Sequence, residues 1–227
     1  MGKSRFRLED FSSPPPKVRL MFDAVSALLA EKADIADLKV SDIMARAGLG
    51  KGTAYEYFSS KEELTAMALI YEYGKKITEL KKLVDSKACF SDKIYGILDW
   101  LHENSSYHMT FICLIQMTTG IRNPCQGLHS CIPAELLTQM HDYLCENGDA
   151  IMEQGYQEGV YTETDVMKRR MAMAAMVLQF AMTMGEKSKN SLFVMDYGTL
   201  RPYAYETLVK TLNQMPAPEK ELHAIHA

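Results

Sequence analysis

No stretch of this chain is apolar for long enough to cross a bilayer. The longest strongly apolar run, Met171 to Gly185, has 15 residues, against the roughly 20 that a spanning helix needs. A buried helix is expected there instead. Cysteine is sparse: the five present are odd in number and follow no regular spacing, which argues against a disulfide framework. Met1 to Phe11 does not read as an export signal, because it carries Lys3, Arg5, Arg7, Glu9 and Asp10 with no apolar segment behind them. Phe6 stands where N-myristoylation needs Ser or Thr. These absences together imply a cytoplasmic protein with reduced thiols. Sustained apolar/polar alternation with strand residues occurs nowhere, so an all-α fold of about nine helices is expected. Neither charge sign dominates: the net charge is −4 over 227 residues.

The distribution of that charge is informative. Residues 1–65 hold ten basic and ten acidic side chains, so the whole net −4 lies beyond them. The first part can therefore turn a basic face toward a polyanionic partner. Four segments are expected: a flexible arm over 1–16, a small helical domain over 17–63, a larger helical domain over 64–215, and a frayed tail over 216–227. "SSPPP" closes the arm, and prolines there forbid helix before them and favour one just after. Val18, Met21, Phe22, Val25, Leu28 and Leu29 then recur at helical spacing. Val40, Ile43, Met44 and Ala47 give a second, two-turn helix that stops at Gly48, a residue suited to the left-handed C-terminal position. A short segment follows from Lys51. Ser59 and Ser60 each precede a Glu by three residues, a doubled capping box opening the next helix.

Two short helices joined by a tight glycine turn, after a longer amphipathic one, is the pattern of a three-helix helix-turn-helix unit. The second short helix of such a unit enters the DNA major groove. That task explains the odd composition of Lys51 to Tyr57. Gly52, Thr53 and Ala54 keep the helix slim enough to approach base edges, while Lys51, Thr53, Tyr55, Tyr57 and the nearby Lys61 can donate hydrogen bonds to phosphates. Backbone amides opening this helix and the next, at Ser59 or Ser60, add anion-binding groups. Phe58 reads as a packing plug. Lys3, Arg5 and Arg7 suit either a minor-groove arm or a solvated tail.

"VSDIMARAGLGKGTAYEYFSSKEEL", Val40 to Leu64, closely resembles the DNA-binding signature of the tetracycline-repressor (TetR) family of transcriptional regulators, and the helix from Lys17 resembles that family's first helix. Two departures stand out: Gly50 replaces the usual Ser cap of the recognition helix, and Ala54 stands where Leu is frequent, both bearing on the operator read. Farther on, "IMEQGYQEGVYTETD" resembles the family's Gly-x-x-x-Gly helix end followed by an aromatic and an acidic residue. The resemblance implies a ligand-responsive regulator, a repressor released from a palindromic operator, whose last two long helices form a homodimer and whose middle helices enclose a pocket for a small-molecule effector.

Sixteen methionines suit a cavity that reshapes around apolar guests. Trp100, Tyr107, Phe111, Met117, Met140, Met176 and Phe180 are the candidate lining residues, each equally readable as core. Cys125, His129 and Cys131 lie close together but match no common zinc spacing, so no metal is expected. His102, His108 and His141 lack an accompanying nucleophile, oxyanion loop or phosphate cradle, so neither an enzyme nor a cofactor is expected. The competing reading is a small-molecule-binding or thiol redox-sensing helical protein without DNA binding.

Overall fold

A computed structural model of the protein describes residues 13–31, 37–104, 130–184 and 195–214. These residues form eight helices and no strand: α1 (Pro16–Ala30), α2 (Val40–Arg46), α3 (Lys51–Tyr57), α4 (Lys61–Asp85), α5 (Phe90–Glu103), α6 (Ala134–Gln157), α7 (Val166–Met184) and α8 (Tyr197–Gln214). The all-helical expectation holds. The helix expected near Ser106 to Gly120 lies outside the described residues, as do nearly all of the N-terminal arm and the C-terminal tail.

Two compact units divide the chain, one drawn from residues 1–81 and 106–144, the other from 82–105 and 145–227. In the first, α1 begins at the prolines, with Pro16 in its first turn where no amide donor is needed. Val18, Met21, Phe22 and Val25 on its inner face are fully buried. Phe22 meets Phe58 at 5.9 Å and Tyr71 at 5.2 Å between ring centroids, so one aromatic side chain ties α1 to α4 and to the residue after α3. α2 packs on α1 and on α3. Its end follows the glycine rule: Gly48 has φ +67°, the Leu49 amide donates to the Met44 carbonyl at 2.9 Å, and the Gly48 amide to Ala45 at 3.2 Å. This is a full Schellman closure, with Leu49 packed on the core as its apolar contact.

The start of α4 departs from the doubled box. One box forms: the Glu63 amide donates to Ser60 Oγ at 3.1 Å, and the Glu63 carboxylate reaches back to the Ser59 amide and hydroxyl. Glu62 turns to Lys61 instead, at 3.9 Å. A carboxylate that serves both donors of Ser59 leaves the neighbouring Glu nothing to cap. From Glu63 to Tyr73 every residue of α4 is buried, as expected of a helix surrounded on all sides. Its one acidic residue in mid-run, Glu72, accepts from Ser26 Oγ and pairs with Lys75.

In the second unit α7 packs on α8, and both pack on α5. α6 ends at Gly159, φ +71°, with the Val160 amide donating to Gly155 and the Gly159 amide to Tyr156, each at 3.0 Å. Gly155 has a different duty. A Cβ there would stand 2.7–2.9 Å from the Phe90 ring, so only glycine lets α5 begin where it does. The Glu158 carboxylate accepts from the Phe90 amide at 3.0 Å, capping α5 from across the unit. The segment that resembled a family helix end is thus the clamp on the start of α5.

Candidate nucleic-acid interface

α3 is built to show one face. Ala54 and Phe58 are 2% exposed and hold it to the core, while Lys51, Gly52, Tyr55, Glu56 and Tyr57 are exposed and Thr53 is half-exposed. The structure therefore brings Lys51, Gly52, Thr53, Tyr55 and Tyr57 onto a common surface, and Lys61 follows at the start of α4. Ala54 falls on the other side. It packs inward, so its departure from the family's Leu bears on the seating of α3 and not on base contact.

Four features of this face have no explanation among the described residues. Lys51, Thr53, Tyr55, Glu56 and Tyr57 make no side-chain hydrogen bond or ion pair with the described residues. Gly50 offers no side chain to cap α3. Gly52 has no positive φ, and a Cβ added to it would meet nothing within 4 Å, so neither backbone geometry nor internal packing requires glycine in a helix where it costs about 0.5–1 kcal/mol relative to Ala. The charges also run against the helix dipole. Lys51 sits in the first turn and Glu56 in the last, each worth roughly 0.3–1 kcal/mol in the wrong direction at an exposed end. Among the described residues nothing offsets these costs or pairs these donors.

Two of the amides at the start of α4 are taken: Ser59 and Glu63 donate to Glu63 and Ser60 side-chain oxygens. Those opening α3 have no side-chain cap. Lys3, Arg5 and Arg7 lie outside the described residues.

Residues 23–68 match the family model of bacterial regulatory proteins, tetR family. The match spans most of α1, α2, α3 and the start of α4, so this segment is similar to the DNA-binding part of that family. Its overall fold is similar to that of the fatty acid degradation regulator FadR from Bacillus halodurans, at TM-score 0.59 and 18% identity over 87% of this chain and 96% of that one. FadR from Bacillus subtilis, crystallised with stearoyl-CoA, gives TM-score 0.54 and 19% identity over 87% and 99%. A TetR transcription regulator from Haloarcula marismortui gives 0.58 and 19% over 85% and 96%. No curated protein matches by sequence.

The candidate effector residues are placed as follows. Trp100, Met176 and Phe180 belong to the second unit at 8%, 5% and 0% exposure, and Met140 to the core of the first with Ile132 and Leu136. Tyr107, Phe111 and Met117 lie outside the described residues, as do His108, Cys125 and His129. Cys131 is half-buried. Among the described residues no group of His, Cys, Asp and Glu is arranged to hold a metal ion, and no helix is long and apolar enough to cross a membrane.

Two polar clusters of the second unit escaped sequence reasoning. Arg169, 5% exposed, pairs with Glu153 at 2.7 Å, donates to the Glu163 carbonyl at 2.7 Å, and lies 4.6 Å over the Tyr156 ring. Asp99 on α5 accepts from Arg201 and from the Tyr197 hydroxyl on α8, and the His102 ring stacks on Tyr197 at 3.9 Å. The Arg201 guanidinium, with help from Tyr197, holds the Asp99 carboxyl below the usual carboxylate range. Burial, then the bond to Asp99, pushes Tyr197 up to about 12, so it stays a donor. A depressed folded pKa contributes stability above the unfolded value near ~4, lost as pH falls through the folded one. Asp99→Asn is therefore expected to flatten the acid limb of a stability profile below about pH 4, read by chemical denaturation across pH. An unchanged limb would show that this pair does not contribute.

Proposed function

We propose that this protein is a one-component transcriptional regulator of the repressor type, cytoplasmic and non-enzymatic, which binds a pseudo-palindromic duplex as a homodimer and releases it on binding a small apolar effector. One observation carries the DNA-binding part: the outer face of α3 displays donors that have no partner among the described residues, around a glycine that no contact there requires. DNA reading is assigned to residues 17–63, and effector binding and pairing to 64–215. Each protomer lays α3 in a major groove, so two-fold symmetry of the protein is matched by the operator.

Thr53, in the first turn beside Gly52, reads a base edge, whereas Tyr57, exposed at the C-terminal end of α3, serves a phosphate. Tyr57→Phe is expected to weaken all sequences alike, by about fivefold for one hydrogen bond of ~1 kcal/mol. Thr53→Ala relaxes sequence preference at one position per half-site. Anisotropy titrations on operator and random duplexes over a salt series measure both, with affinity falling steeply as salt rises. Wild-type protein that prefers no sequence at low salt contradicts the proposal.

The pairing surface follows from what α7 and α8 leave uncovered. α7 buries Arg169, Ala172, Met176, Phe180 and Ala181 on one side, and its opposite side exposes Met167 at 59%, Met171 at 63% and Met182 at 72%, with Tyr203 of α8 at 48%. An apolar stripe of this kind marks an interaction face, and a second copy supplies a matching one. FadR from Bacillus subtilis was crystallised with stearoyl-CoA; here Trp100, Met176 and Phe180, on α5 and α7, suit an apolar guest within the second unit. The effector shifts the equilibrium only by its difference in affinity between DNA-competent and released states. Thermal-shift screening of acyl and other apolar compounds, followed by operator release, tests this part.

A further inference from the structure

We propose that Glu56 is a base-reading residue of α3, accepting a hydrogen bond from the exocyclic amino group of a cytosine in the major groove. The inference rests on the DNA-binding reading above and names what that site recognises. Helical geometry sets the position. Taking Ala54 and Phe58 as the inward direction, a step of about 100° per residue places Gly52 and Glu56, four residues apart, nearest the opposite side. Tyr55 and Thr53 flank them. Glu56 is thus the side chain that projects most directly from the core, with the Cβ-less Gly52 one turn before it on the same line.

Nothing among the described residues accounts for the charge. Glu56 has no hydrogen bond or ion pair with the described residues, and in the last turn of α3 it opposes the helix dipole. In a duplex interface it also opposes the phosphates, so it weakens every non-specific complex. A carboxylate in such a place is productive only where a donor faces it. Among the base edges of the major groove, cytosine presents a lone amino donor, while guanine presents two acceptors and thymine an acceptor and a methyl group. Adenine sets its amino group beside the N7 acceptor, which repels a carboxylate. Cytosine is the base that fits.

The test begins by selecting bound sequences from random duplexes with the wild-type protein, Glu56→Ala and Glu56→Gln. Cytosine is expected at one position of each half-site with wild type. Glu56→Ala should lose that preference, about tenfold in relative affinity, while binding random duplex more tightly at low salt. Glu56→Gln should shift the position toward adenine, whose amino group and N7 suit a carboxamide. A wild-type operator whose cytosine is replaced by pyrimidin-2-one, which lacks the amino group, should weaken wild type about tenfold more than it weakens Glu56→Ala. Identical base preferences in the three proteins, or equal losses on the pyrimidin-2-one duplex, overturn the role of Glu56 while leaving sequence-specific binding in place. Absence of any preferred sequence for wild type overturns the DNA-reading function as well. Circular dichroism melting confirms that both variants are folded, as expected for an exposed and unpaired position.

Discussion

Met171→Asp is expected to leave the protomer folded and to abolish its pairing, whereas Met176→Asp should unfold the second unit. The two methionines are five residues apart on α7, one at 63% and the other at 5% exposure. At Met176 a carboxylate would be buried among apolar side chains without a partner, and a substitution of that kind costs upward of ~4 kcal/mol, a large share of a typical stability of about 5–15 kcal/mol. At Met171 the carboxylate stays in water in the monomer, so folding is unaffected. Two-fold symmetry then sets two like charges into one apolar contact, and dissociation by about a hundredfold or more follows from a loss near ~3 kcal/mol. Sedimentation and thermal melting read the two effects separately. A Met171→Asp protein that remains a dimer at micromolar concentration would move the pairing face away from this side of α7.

Gly52→Ala should raise the stability of the fold and still weaken operator binding. Its backbone is helical and the space about its missing Cβ is empty, so alanine removes a helix-interior glycine and stabilises by up to ~1 kcal/mol. If the glycine serves the approach of α3 to DNA, the added methyl group must move the helix away from the groove or lose contacts, with operator affinity down about tenfold or more. Gly155→Ala has the opposite profile. The Phe90 ring already occupies that space at 2.7–2.9 Å, so overpacking of about 1–3 kcal/mol is expected with base preference intact. Two glycine-to-alanine changes, one in each unit, thus separate a glycine kept for a partner from a glycine kept for packing.

Much of the architecture was legible because helices announce themselves locally. Proline before Pro16–Ala30, glycine after α2, and apolar residues at helical spacing act within a few residues of one another, and so they place α1, α2, α3 and the later helices to within a residue or two. The surface of α3 was legible as a group for the same reason, and Lys51, Gly52, Thr53, Tyr55 and Tyr57 do share it. Ala54 did not yield to composition alone, since a small residue in a slim segment reads as outward until Phe58 fixes which side is in. Glu56 carries no local signal in the sequence, because its direction from the helix is set by the inward packing of Ala54 and Phe58. The doubled capping box failed because spacing counts candidates, and only coordinates show that one carboxylate serves Ser59. Arg169 with Glu153, and Asp99 with Arg201, join residues separated by 16 and 102 positions. No local pattern marks such pairs. Exposure had a similar limit: the Met171 to Gly185 run reads as a buried helix, and the division between inward Met176 and outward Met171 arises from the packing of α5 and α8 against one side.

Selection of bound duplexes from a random pool, carried out in parallel with wild-type and Gly52→Ala proteins at low salt, tests whether the outer face of α3 reads DNA. The account predicts a two-fold symmetric motif for the wild type, with affinity that drops steeply as salt is raised, and a weakened selection for a Gly52→Ala protein that melts at an equal or higher temperature. A wild-type protein that enriches no sequence, or a Gly52→Ala protein that selects the same motif with undiminished affinity, would contradict it.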